Sequence, residues 1–294
     1  MNRKKWIAAG ICAGAFLMAL GLTLYPLISN YYNERHASKL HTEYQDTLEK
    51  MDTSAVESDR EAARRYNAAL IPGAMEVDAY SSAALEAAAE DYADILNPAG
   101  NGLMGYLNIP GLSVELPVYH GTADATLEIG VGHLLGSSLP VGGESTHAIL
   151  SGHSGMAGNK MLSDLPQMKL NDVFYLEVLG ETLVYQVDQI KTVLPSDTKY
   201  LGITTGEDYC TLVTCTPFGI NTHRLLVRGS RIPYVEEEKL AVQDQGGDGT
   251  QSDWTTQYMK GILDGTVTAM VLLVIYTIAK QLRKRRTGSG KYER

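Results

Sequence analysis

The sequence predicts a mainly β domain preceded by helices, and three observations carry that reading. Between 103 and 229, short runs rich in Val, Ile, Thr, Leu and Tyr alternate with Gly, Pro, Asn and Asp, the spacing of a barrel or sandwich. Residues 33–70 are rich in Glu, Ala, Arg and Leu and contain neither Pro nor Gly, the make-up of a solvated helix. From Trp6 to Ile28 no residue is charged. At 294 residues, 44% hydrophobic and 20% charged, the chain has room for one sizeable core with extras, and its 29 Gly and 10 Pro exclude a collagen-like or wholly disordered polymer.

Taken in order, residues 1–5 with Arg3, Lys4 and Lys5 read as a cytoplasmic amino terminus and 6–28 as an uncleaved signal-anchor. About 20 apolar residues cross a bilayer core, and a cleaved signal has a shorter apolar run. Residues 29–96 read as an extracellular helical region. Ile71-Pro72-Gly73 interrupts the first helix, Ala74 to Tyr80 connects, and Ser81 to Leu96 forms a second helix with Pro98 beyond it. Residues 97–235 hold the β domain, with strands expected at 103–109, 114–119, 147–151, 173–179, 183–191, 209–215 and 223–229; those at 173–179 and 183–191 pair as a hairpin around Gly180-Glu181. A tether at 236–258 leads to a second membrane helix at 259–280 and a basic tail at 281–294. Both basic ends read as cytoplasmic under the positive-inside rule, giving a two-pass protein of the cell membrane with the intervening portion, roughly 29–258, on the extracellular face and the bilayer as a partner.

The net charge of −9 is unevenly placed. Residues 3–5 contribute +3 and 280–294 contribute +6, which leaves −18 for 6–279. An acidic body does not bind nucleic acid, which needs Lys and Arg against its phosphates. Three cysteines, Cys12, Cys210 and Cys215, exclude a disulfide scaffold and a four-cysteine zinc site. Nothing matches HExxH or a P-loop, and Gly130-Val131-Gly132 lacks the rest of a dinucleotide fingerprint.

Chemistry then rests on few residues. Cys215 ends an alternating strand, Thr211-Leu212-Val213-Thr214-Cys215, just before Pro217 and Gly219, where a sheet holds a nucleophile at a loop-built cleft. Cys210 lies ~16 Å away along one strand at 3.3 Å per residue, on the opposite face, and cannot bond to it within that strand. A nucleophilic thiol needs a base or cationic partner, and tetrahedral intermediates need donors. His153 follows the strand Ala148-Ile149-Leu150 in a turn, and Arg224 begins the strand after the 216–221 turn, close to Cys215 if those two strands pair antiparallel. His36 and His41 read as part of a solvated helix, and His147 and His223 as structural.

These residues resemble the sortases, and within them the pilus-assembling class C. Thr211-Leu212-Val213-Thr214-Cys215 matches the TLxTC signature, and the block from Thr214 to Gly229 resembles the class C pattern almost residue for residue. Ser151-Gly152-His153, Met104 to Pro110 and Val118 to Thr122 follow suit in the right order. The resemblance implies a closed sortase-type β-barrel with N-terminal helices and two flanking transmembrane helices. It implies a cysteine transpeptidase that cuts an LPxTG-like sorting signal after its Thr. Cys215 is then the nucleophile, His153 the general acid and base, and Arg224 the group that holds substrate or stabilises the oxyanion. The implied partners are pilin subunits with such signals and an acceptor lysine; the implied enzyme is a monomer needing no cofactor, in a Gram-positive host. Asp78-Ala79-Tyr80 resembles the class C lid, with Asp78 pairing the catalytic Arg and Tyr80 covering the Cys, but the usual Pro is absent. Ser154 stands where class C commonly has Arg. His120 and His133 lie in family-like stretches without a catalytic part. Rival readings are a housekeeping sortase that anchors proteins to the cell wall, a hydrolytic cysteine peptidase, and an inactive pilus-assembly scaffold; Ser154 as a nucleophile is disfavoured because Gly152-His153-Ser154-Gly155-Met156 lacks the last Gly of GxSxG.

Overall fold

The computed structural model describes residues 3–70, 92–154, 159–234, 260–269, 271 and 275. It divides into two compact units, Met1–Thr250 and Gln251–Arg294. The first begins with α1 (Arg3–Lys50) and α2 (Thr53–Ala69). The expected helix over 33–70 is therefore two, broken at 51–52. Asp52 causes the break: its backbone is extended and its carboxylate accepts the Ser54 amide at 3.3 Å, so it caps α2 rather than continuing α1. On α2, Ala63 and Asn67 are buried, while Arg60–Glu57 and Arg64–Glu61 pairs one turn apart line the wetter face. Residues 92–96, the described end of the helix expected at 81–96, form turns.

Among the described residues eight strands follow: β1 (Leu103–Ile109), β2 (Val114–His120), β3 (Val131–His133), β4 (Thr146–Ser151), β5 (Val173–Val178), β6 (Glu181–Val193), β7 (Asp208–Thr216) and β8 (His223–Ile232), with a one-turn helix α3 (Asp124–Leu127) between β2 and β3. They close into a barrel in the order β1-β2-β3-β4-β7-β8-β6-β5. The barrel and the seven expected strands match, and β5–β6 is the expected hairpin. β3 is the strand that sequence pattern missed, being three residues long and flanked by Gly130. Two pairings are parallel, β2 with β3 and β4 with β7; the rest are antiparallel. Closure runs through β1–β5, where Gly105 is required because a side chain there would strike the Glu177 carbonyl.

Leu107, Leu150, Leu176, Leu212 and Val227, from five different strands, meet in the main core, and Ala63, Tyr92 and Leu96 join it from the helical region. Asn67 docks α2 by a two-way bond, its amide donating to the Leu139 carbonyl at 3.0 Å and its carbonyl accepting the Leu139 amide at 2.7 Å. The end of α1 lies on the barrel through Tyr44, which packs with Leu103, Tyr106 and Tyr119. Its hydroxyl donates to the Met104 carbonyl and accepts the Leu179 amide, both at 3.0 Å.

The expectation of two membrane spans is corrected: among the described residues no helix is long and apolar enough to cross a membrane. The run 6–28 is not bounded as a helix of its own, since α1 continues without a break through Arg35, Lys39, Glu43 and Lys50. In the second unit, the described helix over 260–269 includes Lys260 and Asp264. The two-pass placement with both termini cytoplasmic falls with these spans.

Candidate active site

The last hairpin places the thiol. β7 alternates so that Cys210 and Leu212 enter the main core while Val213 packs in a second cluster with Leu134, Ile149, Val193, Leu201 and Leu226. Cys215 is two residues beyond Val213 and shares its face, partly exposed, whereas Cys210 is fully buried. Burial pushes the Cys210 thiol well above its ordinary pKa, which leaves it inert. β7 and β8 pair antiparallel with Cys215 directly opposite Arg224. Across the same strand Arg224 stands opposite Val193 of β6, so the guanidinium is carried on a strand held along both edges.

The imidazole is placed by β4. Its parallel pairing with β7 ends at Ser151–Val213, and the chain beyond stays fastened to β7. The Gly152 amide donates to the Val213 carbonyl at 3.0 Å, the Thr214 hydroxyl donates to the Gly152 carbonyl at 2.7 Å, and the Ser154 hydroxyl donates to the Cys215 carbonyl at 2.6 Å. His153 lies between two residues that are each tied to the end of the cysteine strand. Gly152 must lack a side chain, because a Cβ would sit 2.8 Å from Leu162 and 2.9 Å from Val131. Half-burial lowers the His153 pKa, while the carboxylates of Asp124 and Glu128, at the two ends of α3, raise it.

A narrow cleft adjoins this centre. The connection between β6 and β7 folds over the outer face of the sheet, and Val193, Leu194, Pro195, Asp197, Thr198 and Leu201 line the cleft together with Arg224. Phe218 and Ile220, on the turn after Cys215, are exposed, and the Thr216–Pro217 peptide is cis. The arrangement brings a thiol, a guanidinium and an imidazole-bearing turn to one end of the barrel, beside a small cleft of apolar and hydroxyl groups. Thiol acyl transfer on a peptide is the chemistry such a set can perform. Among the described residues no group of three His, Cys, Asp or Glu side chains could hold a metal ion.

The remaining histidines sort themselves by contact. His133 is completely buried, bonded at Nδ1 to the Tyr92 hydroxyl at 2.7 Å and at Nε2 to the Ser138 carbonyl at 2.9 Å. His147 bonds the Thr211 hydroxyl at 2.7 Å and the Gly202 carbonyl at 2.9 Å, and His120 bonds the carbonyls of Gly102 and Ile95. His41 corrects the expectation of a solvated position. Its ring packs at a tilt against Tyr106 and bridges Glu115 of β2 at 2.6 Å and Glu177 of β5 at 3.1 Å. Asp78 and Tyr80 lie outside the described residues. Sequence reasoning missed Asp124, Glu128 and the bond made by Ser154; the acidic pair flanking a short turn was visible, but its direction towards His153 was not.

Comparison with known proteins agrees with this geometry. A family model described as "Sortase domain" matches residues 107–232. The solved structure of sortase C1 from Streptococcus agalactiae is similar at 44% identity, with a TM-score of 0.62 over 67% of this chain and 100% of that one. Streptococcus pneumoniae sortase C, whose structure was described for catalysis and pilin substrate specificity, is 43% identical, with a TM-score of 0.61 over 67% of this chain and 97% of that one. A curated sortase A of S. agalactiae serotype III (strain NEM316) is 31% identical over 117 residues, 39% of this chain and 47% of that protein. The chain thus spans about half the length of that curated relative.

Proposed function

We propose, starting from the fact that the chain belongs to the sortase family, that it is a pilin transpeptidase acting through Cys215, His153 and Arg224. The observation that carries this reading is the register: Cys215 and Arg224 are opposite partners of one hairpin, and the residues on both sides of His153 are hydrogen-bonded to that same strand end. The catalytic unit is taken as roughly 97–235.

In this reading an LPxTG-like signal lies beside Arg224, with its Thr–Gly amide at Cys215. The Cys215 thiolate attacks the Thr carbonyl, and the guanidinium donates to the oxyanion as the carbonyl becomes tetrahedral. Collapse breaks the Thr–Gly amide, with His153 giving a proton to the departing Gly amine. The product is a thioester between Cys215 and the Thr acyl group. A pilin lysine amine then gives its proton to His153 and attacks the thioester, releasing the thiolate and forming an isopeptide bond. Protons and bonds balance over the two halves, and no cofactor enters. The carboxylates of Asp124 and Glu128 oppose the effect of burial and keep more of His153 in the acid form that the first half needs. Asp78 and Tyr80 belong to this reading as a cover over Cys215.

The test is intact-mass spectrometry of the full chain mixed with an LPxTG-type peptide and a lysine-bearing pilin fragment. An acyl adduct on Cys215 that passes to the lysine is expected. Adduct released only to water or to an amino-terminal glycine would point to a hydrolase or a housekeeping sortase, and its absence in wild type as well as in Cys215→Ala to an inactive scaffold.

A further inference from the structure

Ser154 takes no part in the reaction described above, and yet it makes one of the shortest bonds at the site. In a parallel ladder, successive rungs come two residues apart on each strand. The rung from Gly152 to Val213 is made by the backbone amide. The next would join residue 154 to the carbonyl of Cys215, and there the Ser154 hydroxyl donates at 2.6 Å. Between these two rungs the buried Thr214 hydroxyl holds the Gly152 carbonyl from the opposite strand. A serine hydroxyl is one bond from Cβ and has a short reach, so this last rung holds the turn against β7 more tightly than a long side chain would.

We propose that Ser154 is a positioning residue for acyl transfer: its hydroxyl latches the His153 turn to the backbone of the nucleophile, so that imidazole and thiol keep their mutual placement through both halves of the reaction. This rests on the reading of Cys215 and His153 as the reacting pair. The latch acts on His153 from its own neighbour and on Cys215 through its own carbonyl, so no intervening residue relays it. Small misplacement of reacting groups is costly, and about 1 Å is worth up to a hundredfold in rate. Loss of the hydroxyl is expected in kcat, because binding in the cleft does not involve it.

Steady-state cleavage and transfer kinetics of the full chain test this with Ser154→Ala, and with Ser154→Thr and Ser154→Val, which match in shape and differ in the hydroxyl. Ser154→Ala is expected to lower kcat roughly tenfold with KM within about twofold. Ser154→Thr should recover most of that loss and Ser154→Val should not, with equal melting temperatures for the two. A wild-type kcat in Ser154→Ala, or equal kcat in the Thr and Val variants, would overturn the inference. Cys215→Ala run in parallel separates the two ideas. If it still turns over, the underlying assignment of the nucleophile fails; if it is dead while Ser154→Ala matches wild type, only the latch fails.

Discussion

Arg224 and Lys differ in more than length at a position facing a thiol across a hairpin. The guanidinium offers a rigid fork of donors, whereas an ammonium presents a single mobile point of charge. Arg224→Lys is expected to lower kcat/KM for peptide cleavage by about 10²-fold or more, the scale of losing an oxyanion donor, while leaving the melting temperature within a few degrees. Single-turnover acylation of Cys215 by a sorting-signal peptide measures it. Removing Asp124 and Glu128 acts on His153 instead. With Asp124→Asn or Glu128→Gln its pKa falls further, less imidazolium is present at a given pH, and the centre of the pH–rate profile moves towards acid. At neutral pH kcat/KM is expected to fall roughly two- to fivefold, with the limb of the profile that reports loss of the imidazolium displaced towards acid. The placement of Cys215 beside Arg224 was legible beforehand. Cys215 announced itself by closing an alternating strand ahead of a Pro and Gly turn, and Arg224 by opening the next. Ser154 did not, because its meaning comes from a carbonyl 61 residues away.

Elements show where local pattern ends. The break between α1 and α2 was written in Asp52-Thr53-Ser54, an N-cap signal inside a helical composition. The docking of α1 was not, since one histidine on its own helix says nothing of two glutamates on β2 and β5. Those carboxylates hold His41 up at a pKa of about 9, against partial desolvation. The unfolded chain releases that proton near the ordinary value of 6.5, so the native state binds more protons between there and 9. The stabilisation is complete below 6.5, declines as pH rises and is gone above about 9. Because the ring is partly exposed, it amounts to about 1 kcal/mol after screening. Amide hydrogen exchange around Tyr44 and Leu48 is expected to accelerate, beyond the intrinsic base catalysis, between pH 7 and pH 9.5 in wild type. His41→Gln should show fast exchange at both, and an unchanged protection factor in that variant would remove His41 from the account.

At the scale of the whole molecule, two buried histidines pull the other way. Burial lowers His133 to about 3 and His147 to about 4, so each is neutral in the fold and gains a proton only on unfolding once pH drops below 6.5. Stability therefore falls on the acid side of 6.5 through these two, and on the alkaline side through His41. Melting temperature plotted against pH is expected to peak near neutrality, and a monotonic rise from pH 5 to pH 9 would contradict that assignment. Strand spacing made a barrel or a sandwich readable, but closure came only with the family resemblance. Parallel contacts such as β4 with β7 join segments about 60 residues apart, and no turn between them leaves a trace in composition.

The position of β8 as the last strand has a further consequence. β8 bonds to both β6 and β7, and it alone carries Arg224 to Cys215. A chain still being synthesised, or one clipped before residue 223, has its thiol but no cation facing it and a β7 held along one edge only. On the proposed reading of Cys215 and Arg224, such a fragment is a bystander to its own substrate, and acyl transfer waits for β8. The order of synthesis thus acts as a safety catch on a reactive side chain.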